Sequence, residues 1–184
     1  MRWNLVSLDS VQPTPWKNGG GSTRELLAWP GAQDWRVRCS VAEVAQAGPF
    51  SSFPGVQRWF AVLSGAGVRL QMGDVSHVLD GASPPLAFDG GAAVDCALLK
   101  GATQDFNLMV RGASARMERV RGGRFGPVNA PDLIAIYAGS TGATAEFGSE
   151  TAAIPPHTLA WRRLVAGGQL KVLGEDALWM EVSQ

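Results

Sequence analysis

Trp35-Arg36-Val37-Arg38-Cys39-Ser40-Val41-Ala42 alternates strictly between two faces of an extended chain. Trp35, Val37, Cys39 and Val41 fall on one side, and Arg36, Arg38, Ser40 and Ala42 on the other. That is the period-two pattern of a strand with one face in a core. Working outward, a turn-rich corner, Gly48-Pro49-Phe50-Ser51-Ser52-Phe53-Pro54-Gly55, leads into a strand from Arg58 through Leu63. Ser64-Gly65-Ala66-Gly67 then reads as closing a hairpin into a strand over 68–72. Segments 75–79, 86–88, 93–99 and 105–111 continue the pattern, and after a break it resumes at 133–138, 144–147, 157–161, 170–173 and 177–182. Glycine (23 residues) and proline (11) punctuate short strands throughout, and helix signals are scarce. Such spacing predicts an all-β sandwich or barrel.

At 184 residues the chain suits one generous domain or two small fused ones. Sixteen basic against sixteen acidic residues leave no net charge, so neither nucleic acid nor an anionic membrane is an expected partner. No apolar stretch is long enough for a bilayer span, and none is flanked like a signal peptide. Cys39 and Cys96 both lie in apolar alternating segments, which reads as reduced, buried thiols in a cytoplasmic protein, with a bridge between them the alternative. The break holds Arg111, Arg116, Arg119, Arg121 and Arg124 with little apolar periodicity, closed by Gly122-Gly123 and Gly126-Pro127. It reads as a solvated linker at 113–131, the alternative being a basic binding patch. It separates an N-terminal half, 1–112, from a C-terminal half, 132–184, that reads as a degenerate second copy, an organisation that leaves room for the termini to swap strands between the halves.

The second informative stretch is Trp16-Lys17-Asn18-Gly19-Gly20-Gly21-Ser22-Thr23-Arg24-Glu25. Three consecutive glycines are costly to order and persist where the backbone must bend or be approached closely. Successive glycine N–H groups can form a concave anion nest, here bracketed by Lys17, Asn18 and Arg24. The run is therefore either a pocket lip for a small anionic ligand or a tight connection into a strand. It is not a P-loop, because the lysine precedes the glycines.

This decapeptide resembles the opening signature of the HutD/Ves family of bacterial proteins. So do 35–42, Gly48-Pro49-Phe50-Ser51-x-Phe53-Pro54-Gly55-x-x-Arg58, the Leu63-x-Gly65-x-Gly67 turn and Asp105-Phe106-Asn107-Leu108-Met109, in the family's order over residues 14 to 112. The resemblance implies a cupin-type double barrel (a bicupin), two stacked antiparallel β-sandwich barrels with very little helix, with the signature residues around the N-terminal barrel. It also implies an association with bacterial histidine utilisation and the binding or sensing of a pathway metabolite such as formylglutamate.

Metal-dependent cupins gather several histidines and a carboxylate on one ion. This chain has only His77 and His157, in different halves, and no evident carboxylate cluster, so no metal site and no cofactor is expected. What remains is a polar constellation. Arg58 heads an otherwise apolar strand, and Asp105, Asn107 and Met109 share one strand face opposite Phe106, Leu108 and Val110. Guanidinium groups match carboxylates bidentately. The expected ligand set is thus Trp16, Lys17, Asn18, Gly19, Gly20, Gly21, Arg24, Phe50, Arg58, Asp105, Asn107 and Met109. Arg24 and Arg58 would be clamps and Lys17 a point charge at the mouth. Asp105 either accepts an N–H from the ligand or simply pairs with Arg58.

The reading is a metal-independent cytoplasmic protein that senses or sequesters a small anionic metabolite, with association through exposed strands into a homodimer expected. The alternative is a metal-free cupin isomerase or hydrolase acting on a small carboxylate, with Glu25, Glu43 or Asp105 as acid–base group. A protein–protein module would instead show a broad exposed apolar patch.

Overall fold

The computed structural model describes residues 2–129 and 133–183. In chain order the strands are β1 (Asn4–Ser7), β2 (Thr14–Pro15), β3 (Gly21–Trp29), β4 (Val37–Val44), β5 (Gly48–Pro49), β6 (Val56–Ser64), β7 (Val68–Met72), β8 (Val75–Leu79) and β9 (Leu86–Asp89). They continue as β10 (Asp95–Leu98), β11 (Thr103–Arg111), β12 (Ser114–Val128), β13 (Leu133–Ala138), β14 (Ala143–Phe147), β15 (Glu150–Ile154), β16 (Thr158–Arg163) and β17 (Gly168–Ser183). A single 3-10 turn at Leu8–Ser10 is the helical element among the described residues. The protein is all-β, as the alternation predicts. It divides into two units, one of Gln12–Gly112, the other of the residues up to Val11 with those from Ala113 onward.

In the unit Gln12–Gly112, a sheet in the order β2-β3-β4-β11-β6-β9 and a sheet in the order β5-β10-β7-β8 are antiparallel throughout. They close on one core, to which the first sheet gives Ala42, Val44, Phe60 and Val62 and the second Val68, Leu70, Leu79 and Cys96. The interior of the barrel therefore takes the Arg38–Ser40–Ala42 face of β4. Val37, Cys39 and Val41 on its other face are buried as well.

The expected hairpin at 64–67 is corrected. β6 pairs with β11 and β9, while β7 pairs with β10 and β8, so the turn carries the chain from one sheet to the other. Gly65 and Gly67 sit at φ +94° and +107°. A Cβ on them would lie 2.6 Å from the Ala102 carbonyl oxygen and 2.3 Å from that of Leu79. Only glycine permits both that backbone and that closeness.

The other unit is one sheet in the order β1-β16-β13-β17-β14-β15, with β12 also on β17. Residues from well-separated strands, such as Ala160, Ile136, Trp179, Val172, Ala145 and Ile154, join one cluster, so the sheet is strongly curved. The segment 113–131, expected as a linker, is instead mostly strand β12, paired with β17 along Ser114–Val128. Its turn signals misled because Gly122, at φ +76°, marks a register shift between Val120 and Gly122 rather than a chain reversal. Three of its arginines are held in ion pairs: Arg119 with Asp176 at 3.0 Å, Arg124 with Glu118 at 2.6 Å, and Arg116 with Glu118. The same irregularity joins the expected strands 170–173 and 177–182 into the single β17. The linker end at 131 and the half-boundary at 132 lie outside the described residues, as do positions 1 and 184. β1 pairs with β16, so the N-terminal strand belongs to the sheet of the later half.

Candidate functional site

Strand register builds the site. β11 lies between β4 and β6, which aligns residues in rows across the sheet: Arg38–Met109–Arg58, Ser40–Asn107–Phe60 and Ala42–Asp105–Val62. Because side chains alternate along a strand, all three rows point to the barrel interior. β3 adds Thr23 opposite Ala42 and Glu25 opposite Ser40. The first two rows, with Ala42 and Thr23, line a cavity of about 600 Å³. Phe50, Ser51 and Phe53 from the proline-rich corner also line it, as do Trp16, Lys17 and Asn18.

Arg58 is its most unusual member. It is 5% exposed, and its Nη2 donates to Asn107 Oδ1 at 2.7 Å. Its Nη1 reaches the Ser51 carbonyl only at 3.5 Å, and its buried Nε has no partner. The guanidinium carbon lies 5.1 Å from the ring centres of Phe50 and Phe88 and 5.8 Å from that of Phe53. Burial, with the nearby Arg38 charge, pushes its pKa down to about 10, so it stays a cation at neutral pH. The comparison within the same chain is direct. Arg162, equally buried, meets Glu150 at 2.6 Å, and the Arg119 side chain, 5% exposed, meets Asp176 at 3.0 Å. Among the described residues no carboxylate pairs with Arg58. Arg38, at the other end of its row, is neutralised: its Nε donates to Glu25 Oε2 at 2.6 Å, while its Nη1 has only the Met109 sulfur at 4.0 Å.

Asp105 is fully buried, on the same strand face but outside the residues that line the cavity. Thr103 Oγ1 donates to its Oδ2 at 2.8 Å, and its Oδ1 has no partner. Burial pushes its pKa up to about 7 against the Thr103 hydrogen bond. The expected alternative of an Arg58–Asp105 pair is thus not formed. Cys39 and Cys96 are free, buried thiols pushed up to about 12 by burial, far from thiolate chemistry.

Trp16, Lys17, Asn18, Phe50, Arg58, Asn107 and Met109 come together at the cavity, and the remaining expected residues do not. The glycines form a turn rather than an anion nest. Gly19 N–H donates to the Trp16 carbonyl at 3.0 Å and Gly20 N–H to Asn18 Oδ1 at 3.0 Å, so these donors are spent internally. Gly21 is demanded by closeness: a Cβ there would sit 2.2 Å from the Glu43 carbonyl oxygen and 3.1 Å from the Trp16 ring. Gly21→Ala is expected to cost about 2 kcal/mol, the scale of overpacking; a urea midpoint equal to wild type would refute the close-approach account. Arg24 pairs in register with Val41 and Glu43 with Ser22, so both lie on the face turned away from the cavity. Glu25 is at the rim, but as the partner of Arg38 rather than a free base. Sequence reasoning missed Arg38, Ser40 and Thr23. Arg38 and Ser40 were legible as the polar face of β4, had that face been assigned to the barrel interior.

Among the described residues no three His, Cys, Asp or Glu side chains gather where they could hold a metal ion. His77 and His157 lie in β8 and in the turn before β16, the latter exposed at φ +52°. No helix among the described residues is long and apolar enough to cross a membrane.

Residues 8–180 match the family model described as HutD. An uncharacterized 21.2 kDa protein of the hutC 3′ region of Pseudomonas putida is 42% identical over 114 residues, 57% of this chain and 56% of that one. Protein Ves of Escherichia fergusonii is 39% identical over 99 residues, 52% of this chain and 51% of that one. The chain thus spans about half the length of the curated relatives it matches. The solved structure of HutD from Pseudomonas fluorescens SBW25, determined in a formate condition, superposes with TM-score 0.85 at 28% identity, over 100% of this chain and 99% of that one. A cupin 2 conserved barrel domain protein from Leptotrichia buccalis superposes over 100% and 98% with TM-score 0.58 at 7% identity, a likeness of fold alone, and that fold is cupin-type.

Proposed function

This chain belongs to the HutD family, and from that premise we propose that it binds a small carboxylate in the cavity of the Gln12–Gly112 barrel, without a metal. One observation carries the reading: among the described residues Arg58 is a buried cation with no carboxylate of its own, whereas Arg162 and Arg119 each have one. An uncompensated buried charge costs several kcal/mol, so a site that retains one gains most when an anion arrives. Asn107 fixes one edge of the guanidinium and leaves the rest of the fork to a ligand carboxylate. The phenyl faces of Phe50 and Phe53 and the Trp16 ring suit the aliphatic part of such a molecule.

The hutC-region relative makes a formylglutamate-like metabolite of histidine utilisation the first ligand to test, with sensing or sequestration in the cytoplasm as the role. Binding without catalysis is favoured over an isomerase or hydrolase. Glu25 is held by Arg38, Glu43 points away, and Asp105 lies outside the cavity lining. A general base must reach its proton within hydrogen-bond distance.

The test is a thermal-shift series with formylglutamate, other small mono- and dicarboxylates and their amides. A carboxylate at about 100 times its Kd is expected to add roughly 2.7 kcal/mol to the folded state, and the matching amide much less. Equal stabilisation by acid and amide, or by neither, would overturn the reading.

A further inference from the structure

We infer that Glu25 sets the selectivity of this pocket for charge: it occupies Arg38 as a resident carboxylate, so the site grips one carboxylate at Arg58 and withholds full counter-charge from a second. This rests on the carboxylate-binding reading above. Arg38 and Arg58 flank Met109 in one row, two strand spacings apart, so their Cα atoms are about 10 Å from each other. Their guanidinium groups feel one another, since the Arg38 charge acts on Arg58. The two are not equivalent. Arg58 is deep and lacks an anion, whereas Arg38 is 20% exposed at the rim and donates its Nε to Glu25 Oε2 at 2.6 Å, with Glu25 39% exposed.

The consequence is a matter of charge. With Glu25 ionised, the Arg38–Glu25 pair is neutral as seen from the cavity, and a monocarboxylate on Arg58 completes the balance. A second carboxylate arriving at Arg38 meets the Nη side of the fork, where Nη1 has only the Met109 sulfur at 4.0 Å, but also the Glu25 charge beside it, and like charges so close disfavour each other. Lys17 offers little compensation, because it is exposed at the mouth, where water screens it. A dicarboxylate is therefore held mainly by one end. Glutamine in place of Glu25 keeps an oxygen for the Arg38 Nε and removes only the charge.

Calorimetry on the full chain would compare butyrate and pentanoate with glutarate, adipate and pimelate. In wild type each dicarboxylate is expected to bind within a few-fold of the monocarboxylates. In Glu25→Gln the best dicarboxylate is expected to gain about tenfold and the monocarboxylates less than twofold. In Glu25→Gln/Arg38→Gln that gain is expected to vanish. An unchanged dicarboxylate-to-monocarboxylate ratio in Glu25→Gln, with wild-type binding intact and dependent on Arg58, overturns the role of Glu25 alone. Absence of any carboxylate binding to wild type overturns the underlying reading and this inference with it. Glu25 lies at the exposed rim, and an unchanged melting temperature without ligand would confirm that the variant is folded.

Discussion

Arg58→Met is expected to weaken the binding of any small carboxylate by about 2 kcal/mol or more, some thirtyfold, while leaving the unliganded protein as stable as wild type or more so. The two halves of that result have one cause. The guanidinium is buried among Phe50, Phe53 and Phe88 with one good hydrogen bond, to Asn107, and an unpartnered Nε. Replacing an unpaired buried ion by an apolar side chain of similar length removes its desolvation cost and fills the aromatic niche. The bound state loses a charge-assisted, bidentate contact. Calorimetry reads the first effect and a urea midpoint the second. Arg58→Lys separates charge from shape, since an ammonium is a point charge without the planar fork and is expected to recover part of the affinity at most. Unchanged affinity in Arg58→Met would remove Arg58 from the site. A loss of unliganded stability by several kcal/mol would mean that an internal partner already neutralises it.

The sequence made the barrel legible because period-two alternation survives wherever one face of a strand is polar. β4 and β7 emerge in this way within a residue or two of their expected bounds, whereas β13, apolar and buried on both faces, shows as a short apolar run rather than as alternation. β12 and β17 were harder to read because long bent strands use glycine for curvature, and Gly122 opposite Gly174 looks locally like a turn. The hairpin at Gly65–Gly67 failed for a related reason: local sequence fixes that the chain turns, but not which sheet receives it. In the site, Asn107 and Met109 are visible in the sequence as neighbours on one strand face and Arg58 as the polar head of an apolar strand, and register brings them together. Arg38 joins only when β4 is laid beside β11, a non-local fact. The glycine run borders the cavity through the turn it makes, the second of the two readings its sequence allowed. Its amides hold the turn, and the turn holds Trp16, Lys17 and Asn18 at the cavity.

Asp105→Asn is expected to change the pH dependence of stability more than any other single substitution. Asp105 is fully buried, only Oδ2 has a donor, and burial moves its pKa from the ordinary 3.8 to about 7. The sign follows from proton binding. Between those two values the folded protein holds a proton that the unfolded chain has released, so folding is favoured at low pH. The contribution is fully present below about pH 4, is lost progressively as pH rises and is gone above about pH 7. Three pKa units correspond to a loss on the order of 4 kcal/mol in wild type relative to Asp105→Asn across that window. Asparagine cannot ionise, so the difference between the two denaturation profiles isolates this one carboxyl from the other acids of the chain. A difference that is flat from pH 4 to pH 8 would show that Asp105 ionises normally and has an anion-stabilising partner in the barrel. A difference that grows in favour of wild type with rising pH would show that the buried carboxylate is the preferred state, and would reopen its pairing with Arg58.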